Sequence, residues 1–136
     1  MRVLAIDHGS KRMGIAVSDE LQMIAQPLEF VPAEPLEKFF ERLRQIIAEK
    51  EVGLIVIGVP RNMDGTYGPA ATKVQEFVAK LKATVTVPIR AWDERLTSVQ
   101  ANRYLIEADV RRSKRKEKVD KTAAAILLQS YLDSVS

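Results

Sequence analysis

The sequence predicts an α/β protein built on a mixed five-stranded sheet with helices on both faces. The first third of the chain contains apolar runs joined by tight turns, a pattern typical of antiparallel strands. From residue 35 onward, helical periodicity alternates with short apolar runs, which is typical of parallel strands joined by crossover helices. With 136 residues, 46% of them hydrophobic, the chain suits one packed domain over residues 1–136.

Three strands are expected before residue 32. They are predicted over residues 2–7, 13–18 and 22–31. The first strand is apolar on both faces, as expected for a central strand that is covered from both sides. The third strand contains Pro27, which cannot donate to a strand ladder and therefore indicates an edge strand. The short connections predict an antiparallel meander.

Helices and strands then alternate toward the C-terminus. The predicted elements are a helix over 35–50, a buried strand over 54–57, a turn-rich loop over 58–68, a helix from Pro69 to about Leu81, a strand over 85–92, a helix over 99–108 and a last helix from about 118 to 132. Pro69 suits the first turn of its helix. Thr97 or Ser98 suits the cap of the helix that follows.

Composition excludes several classes of protein. The chain has no cysteine, which excludes disulfides, cysteine-ligated zinc, iron–sulfur clusters and a cysteine nucleophile. No apolar run approaches the roughly 20 residues that a membrane helix needs. The N-terminus enters a strand directly, without a charged leader and a cleavable apolar segment. We therefore expect a cytoplasmic protein that does not associate with membranes.

The positive charge is concentrated in one segment. The formal net charge is +3, and residues 111–121 (RRSKRKEKVDK) carry seven cations and two anions. The rest of the chain is slightly negative. Such a run is either a solvated charged surface or a patch that binds the phosphates of a nucleic acid. Charge alone does not decide between these two interpretations.

Three acids are candidates for chemistry. Asp7 ends the first strand, Glu94 follows the fifth strand, and Asp120 heads a largely apolar stripe of the last helix. The predicted topology can bring all three to one edge of the sheet. Converging carboxylates repel each other unless divalent cations lie between them. Two Mg²⁺ or Mn²⁺ ions at such a site can activate a water and stabilise a leaving oxygen in phosphodiester cleavage.

Each acid also has a structural interpretation. Asp7 can bond its own turn, Glu94 can pair with a neighbouring arginine, and Asp120 can stabilise the start of a helix. Asp93 competes with Glu94, because strand alternation points the two in opposite directions. The pattern alone does not say which of them faces the site.

The remaining side chains offer no other chemistry. His8 is the only histidine, so the sequence gives little support to a histidine-based metal site or a conventional Ser-His triad. It is either a turn residue near the edge of the sheet or a proton shuttle. The eight aromatic residues are scattered and form no stacking platform typical of single-strand readers, and Trp92 and Phe77 are expected in the core.

Four motifs resemble those of one protein family. They are Asp7–Gly14 (DHGSKRMG), Gly58–Thr66 (GVPRNMDGT), Asp93–Thr97 (DERLT) and Val119–Ala124 (VDKTAA). In this order they resemble the motifs of the YqgF family, bacterial ribonuclease H-like proteins described as pre-16S rRNA nucleases and as Holliday-junction resolvase-like. The departures, Val59 and Arg61, touch none of the three acids.

The resemblance implies a ribonuclease H-like fold and a metal-dependent nuclease. It implies that Asp7, Glu94 and Asp120 are the catalytic acids and the ligands of two Mg²⁺ or Mn²⁺ ions. It also implies contacts with nucleic acid from the first three motifs and from the basic segment. The residues predicted to make these contacts are Lys11, Arg12, Arg61, Asn62, Arg95, Arg111, Arg112, Lys114, Arg115 and Lys116.

Three functions follow as expectations. The first is an endonuclease that processes the 5′ end of pre-16S ribosomal RNA. The second is a resolvase of four-way DNA junctions, whose two symmetric cuts call for a two-fold dimer. The third is a non-catalytic nucleic-acid-binding factor in ribosome assembly or transcription. The partner is structured RNA or branched DNA, and the protein is expected to be a monomer or a weak homodimer.

Overall fold

The computed structural model describes residues 1–62, 64–94 and 122–135. These residues form five strands and three helices. The elements are β1 (Arg2–Asp7), β2 (Arg12–Ser18), β3 (Ala25–Pro32), α1 (Leu36–Glu49), β4 (Val52–Val59), α2 (Pro69–Lys82), β5 (Ile89–Asp93) and α3 (Ala123–Val135). The predicted helix over 99–108 and the basic segment lie outside the described residues.

The strands form one mixed sheet in the order β3-β2-β1-β4-β5. The pairs β1–β2 and β2–β3 are antiparallel, whereas β1–β4 and β4–β5 are parallel. This confirms the predicted meander followed by crossovers, and it confirms that the strand containing Pro27 is an edge strand. The C-terminal ends of β1, β4 and β5 lie at one edge of the sheet, which we call the C-terminal edge. Strand β2 begins at the same edge.

Side-chain alternation divides the core into two layers. On one face of the sheet, Leu4, Ile6 and Ile57 pack with the residues of α1 and α2, including Phe39 and Phe77. On the other face, the alternate residues pack against α3. These are Val3, Ala5, Ala16 and Val56 of the sheet and Ala124, Leu127, Leu128, Tyr131 and Leu132 of the helix. Helices on both faces and the core position of Phe77 are thus confirmed.

Two strands begin later than predicted because turns take the first residues. Strand β3 begins at Ala25, since the Asp19 carboxylate accepts hydrogen bonds from the backbone N–H groups of Met23 and Ile24 at 2.8 and 2.9 Å. These hydrogen bonds lower the pKa of Asp19. Strand β5 begins at Ile89, four residues later than predicted. After α2 the N–H groups of Thr84 and Val85 both donate to the carbonyl of Leu81, which keeps these residues out of the strand.

Helix α3 begins at Ala123, whereas the sequence predicted a start near residue 118. Thr122 caps the helix: its Oγ1 accepts a hydrogen bond from the N–H of Ala125 at 3.1 Å, as a helix N-cap does. The apolar stripe that Asp120 was predicted to head is confirmed for its described members, because Leu127 and Tyr131 are buried against the sheet. Asp120 itself lies outside the described residues.

A bilayer-spanning helix is not found in the described part of the chain. None of the three helices there is long and apolar enough to cross a membrane.

Candidate active site

Asp7 lies at the C-terminal edge on the face covered by α3. Every second side chain of β1 points to the same face, so Asp7 shares the face of Val3 and Ala5, which both pack against α3. Asp7 is half-buried, and burial raises the pKa of its carboxyl group, because a charged carboxylate is less well solvated there. The last residue of β1 therefore places a poorly solvated acid at the rim of the sheet.

Glu94 reaches the same place from β5. Trp92, two residues before Glu94, packs edge-on against Tyr131 of α3 with ring centroids 5.5 Å apart, and the Trp92 Nε1–H donates to Ser130 Oγ at 3.3 Å. Because side chains alternate along a strand, Glu94 lies on the same face of the sheet as Trp92. Burial raises the pKa of its carboxyl group first, and the negative charges of Asp7 and Asp93 raise it further.

Gly58 of β4 makes room for the Glu94 carboxylate. A Cβ atom at position 58 would lie 2.8 Å from Glu94 Oε1 and 2.9 Å from Glu94 Cγ, which is closer than non-bonded atoms approach. Ile6 pairs with Ile57, so Asp7 and Gly58 are the next residues along two neighbouring strands. The Glu94 side chain thus lies over the bare backbone of β4, on the side where Asp7 stands.

Asp93 points to the opposite face of the sheet. Its Oδ2 lies 3.7 Å from Arg61 Nη1 of the loop after β4. The sequence left open whether Asp93 or Glu94 joins Asp7. The structure brings Glu94 and Asp7 together on the α3 face and gives Asp93 an arginine partner on the other.

A second glycine continues the site across β2. Gly14 pairs with Asp7 and with Phe30 of the edge strand. A Cβ atom at position 14 would meet Phe30 Cε1 at 3.3 Å, Ala124 Cβ at 3.5 Å and Asp7 Cβ at 3.6 Å. Gly14 and Gly58 therefore flank Asp7 with bare backbone, and the first turn of α3 closes over Gly14.

The Asp7–Glu94 pair fits a divalent cation. Within residues 1–62, 64–94 and 122–135, no lysine or arginine forms an ion pair with either carboxylate. Two half-buried carboxylates whose charged forms are both poorly solvated are stabilised by a cation between them, and oxygen ligands suit Mg²⁺ and Mn²⁺. The described residues contain no cluster of three acidic or histidine ligands, and the third predicted acid, Asp120, lies outside them.

The loop after β4 is held by its own side chains. Arg61 donates from Nε to the carbonyl of Gly65 at 2.9 Å and lies over the ring of Tyr67 at 4.7 Å. The amide of Asn62 donates to Thr66 Oγ1 at 3.0 Å. Gly65 adopts a φ of 90°, which glycine accepts without strain. Arg61 and Asn62 therefore shape this loop, and their contact with nucleic acid stays a prediction.

Lys11 and Arg12 are exposed at the C-terminal edge. They lie in the connection from β1 to β2 and at the start of β2, beside Asp7. The Arg12 guanidinium carbon Cζ lies 4.2 Å from the centroid of the Phe30 ring. The other predicted contacts, Arg95, Arg111, Arg112, Lys114, Arg115 and Lys116, lie outside the described residues.

His8 points away from Asp7, toward α2. Its ring packs against Phe77 with centroids 5.2 Å apart. Burial lowers the pKa of His8, and the positive charge of Lys73 lowers it further. His8 lines a cleft of about 750 Å³ beside α2, on the face opposite the two acids. This placement favours the structural interpretation of His8.

Sequence reasoning missed two parts of the site. Gly58 was assigned only to a turn-rich loop, although its lack of a side chain admits Glu94; the signal was a glycine at the end of a buried apolar strand. Phe30 was counted among scattered aromatics, yet it is 49% exposed beside Arg12 and Gly14. Its signal was its place on an edge strand opposite a glycine.

Solved structures of junction-resolving enzymes share this fold. Over 99% of its length the chain is similar to RuvC from Thermus thermophilus in complex with a Holliday junction substrate, with a TM-score of 0.60, 17% identity and 95% of that chain covered. It is also similar to the fowlpox virus Holliday junction resolvase, with a TM-score of 0.52, 10% identity and 99% of that chain covered. The protein therefore has a RuvC-like, ribonuclease H-like fold.

The sequence comparisons assign the family. The model of the family described as "RuvX: Holliday junction resolvase" matches residues 1–134, and the chain belongs to this family. A Thermoanaerobacter pseudethanolicus protein is 52% identical over 135 residues, covering 98% of this chain and 97% of its own. A Geobacillus protein is 51% identical over 136 residues, covering 98% and 99%. Both are named "Putative pre-16S rRNA nuclease", and the resemblance drawn from the four motifs is confirmed.

Proposed function

We propose that this protein is a metal-dependent endonuclease that processes the 5′ end of pre-16S ribosomal RNA. The observation that carries the proposal is the pairing of Asp7 and Glu94 at the C-terminal edge. Both are half-buried, both have a raised pKa, and neither has a cationic partner among the described residues. Such a pair is unfavourable in a purely structural role, and it is suited to binding cations.

Asp7 and Glu94 would hold the divalent cations, together with Asp120 as the resemblance implies. When bound, Mg²⁺ or Mn²⁺ activates a water and stabilises charge on the phosphate oxygens during phosphodiester cleavage. The chain's own residues prepare this site. Gly58 admits the Glu94 carboxylate, and the contacts of Trp92 with α3 fix the strand from which Glu94 extends.

The choice of RNA as substrate is supported by the names of two relatives whose sequences are 52% and 51% identical to this chain. Proteins 52% and 51% identical, which this chain matches almost end to end, carry the name of a pre-16S rRNA nuclease. The exposed cations Lys11 and Arg12 beside Asp7 would contact the phosphates next to the scissile bond. Cations at this rim would bring the RNA backbone toward the acids.

A cleavage assay with matched variants tests the proposal. Precursor 16S RNA is incubated with the protein in Mg²⁺ or Mn²⁺, and the 5′ ends are mapped. We expect Asp7→Asn to lower the cleavage rate by roughly a thousandfold or more, because it removes a ligand whose cation stabilises transition-state charge. Glu41→Gln, at an exposed position of α1, should cleave like the wild type. Full activity of Asp7→Asn would contradict the mechanism.

Junction resolution is the second candidate. It is favoured by the structural similarity to RuvC and by the description of the matching family. The same carboxylates would serve, but two symmetric cuts call for a dimer with two sites. A four-way DNA junction assayed beside the RNA separates the candidates. Paired symmetric cuts and a dimer on the junction would favour the resolvase, and cleavage of the RNA alone would favour the nuclease.

The same assay addresses a non-catalytic role. A binding factor for ribosome assembly or transcription would bind RNA equally well in EDTA and would cut neither substrate in Mn²⁺. This outcome would overturn both nuclease proposals.

A further inference from the structure

Phe30 is an exposed aromatic residue next to the candidate active site. It lies on the edge strand β3, on the same face as Asp7, and 49% of its surface is exposed. Gly14 separates the two: it pairs with Phe30 on one side and with Asp7 on the other. Two strand spacings of about 4.8 Å separate the two backbones by about 10 Å, and the ring edge reaches back toward Asp7 over Gly14.

Gly14 brings the Phe30 ring and Asp7 close together. A Cβ atom at position 14 would lie 3.3 Å from Phe30 Cε1 and 3.6 Å from Asp7 Cβ, so the ring edge and the Asp7 side chain flank the same residue. Gly14 itself is buried beneath the Phe30 ring and Ala124 of α3. The ring is therefore not isolated on the surface but borders the place where a scissile phosphate would lie.

Arg12 already lies over the ring. Its guanidinium carbon lies 4.2 Å from the ring centroid, and Arg12 is exposed. A guanidinium in such a cation–π contact still offers N–H donors to phosphate oxygens. The ring thus holds a cation in position beside the site.

We infer that Phe30 is a stacking platform for an unpaired base next to the scissile phosphate, and that it aligns Arg12 on an adjacent phosphate. This inference rests on the proposed nuclease function and deepens it, because it gives the substrate a required feature. A base can stack on Phe30 only when it is unpaired or splayed out of a helix. The substrate is therefore single-stranded at the cleaved position, rather than a continuous duplex.

The alternative is a structural role. An aromatic side chain opposite a glycine shields the glycine backbone and stabilises the strand pair. In that case a change at Phe30 would lower stability and weaken binding to paired and unpaired RNA alike. Stacking predicts an effect confined to unpaired RNA.

Binding measurements distinguish the two roles. The RNA is a hairpin with a single-stranded tail that carries 2-aminopurine, and the comparison is a blunt duplex. All variants are made in the Asp7→Asn protein, in which cleavage is blocked and the repulsion of phosphates is reduced. Phe30→Ile keeps strand propensity and apolar character but has no π face. Phe30→Tyr keeps the π face, and Ile24→Ala, at an exposed position of the same hairpin, is the matched control.

We expect Phe30→Ile to weaken binding of the tailed RNA about tenfold and to abolish the quenching of 2-aminopurine, with duplex binding unchanged. Phe30→Tyr and Ile24→Ala should bind like the parent. Arg12→Ala should make the logarithm of the binding constant fall less steeply with the logarithm of salt concentration, by the amount expected for about one lost phosphate contact. Equal binding of the tailed RNA by Phe30→Ile, or an equal loss on both RNAs, would overturn the inference while leaving the nuclease proposal standing. A parent protein that binds neither RNA would overturn both.

Discussion

The Asp7 and Glu94 side chains are held where their charged forms are poorly solvated. Burial raises the pKa of both carboxyl groups, and the charge of Asp7 adds to the effect on Glu94. In the folded protein both groups therefore bind protons more tightly than in the unfolded chain. The metal-free protein loses stability as pH rises from the ordinary carboxyl range through these raised pKa values. Above these pKa values both carboxyl groups are charged in the folded protein, and the full loss of stability is present.

Removing one of the two charges should therefore stabilise the metal-free protein. We expect Asp7→Asn to unfold at a temperature a few degrees higher than the wild type in EDTA at pH 7.5, an effect of order 1 kcal/mol. The difference should vanish near pH 3, where the carboxyl groups of both states are protonated. Thermal unfolding followed by circular dichroism across this range measures it.

The same experiment carries its own control. Asp19 has a lowered pKa, so its charged form stabilises the folded protein, and this stabilisation is lost as pH falls. The effect of Asp7 is opposite, because its charged form destabilises the folded protein. Asp19→Asn should therefore destabilise the protein at neutral pH. If Asp7→Asn were destabilising in EDTA, the idea that the site is strained without a cation would be wrong.

Strand β4 is the element that brings the two acids together. It lies between β1 and β5, and Gly58 near its end gives the Glu94 carboxylate the space above its backbone. Helix α3 covers the same strip: Leu127 Cδ1 would lie 3.2 Å from a Cβ atom at position 58. The acid pair therefore depends on a residue that carries no chemistry itself.

Gly58→Ala should impair cleavage without removing any acid. The added methyl group would displace the Glu94 carboxylate, because the only relief is movement of Glu94 or Leu127. A displacement of about 1 Å lowers an enzymatic rate by roughly a hundredfold, and we expect a loss of that size in the cleavage assay.

Gly53→Ala is the matched control for this prediction. Gly53 lies near the start of the same strand, and its added Cβ would meet Met1 Cβ at 2.9 Å, so any shift falls on the exposed first residue of the chain, at the opposite end of β4 from the two acids. Its activity should equal that of the wild type. If Gly58→Ala were as active as Gly53→Ala, Glu94 would not need the position in which the structure holds it.

At the scale of the whole molecule, the sequence was sufficient for the sheet and its layers. Pro27 indicated the edge strand, and the two-sided apolar pattern of β1 indicated its central place. The first follows because proline lacks the backbone N–H that a central strand donates. The second follows because side chains alternate between the two faces of a strand. Helix α3 was found with its buried stripe but with a different start, because Thr122 caps it where the pattern alone placed no cap.

The candidate site was only partly predictable. Alternation showed that Asp93 and Glu94 face opposite ways, but the choice between them depends on which face α3 covers, a tertiary property. The exposure of Phe30 is likewise set by its position on the edge strand, beyond which the described sheet has no further strand. Neither fact can be derived from periodicity within a single element.

The central claim is that Asp7 and Glu94 together bind a divalent cation, and a Mn²⁺ titration tests it most directly. Free Mn²⁺ is followed by its electron paramagnetic resonance signal as wild-type protein, Glu94→Gln or Asp93→Asn is added. Glu94 and Asp93 are sequence neighbours on opposite faces of the sheet, so the comparison isolates the face that carries Asp7. We predict that the wild type and Asp93→Asn bind Mn²⁺ alike, and that Glu94→Gln binds it at least about tenfold more weakly. Equal binding by Glu94→Gln and the wild type would contradict the claim.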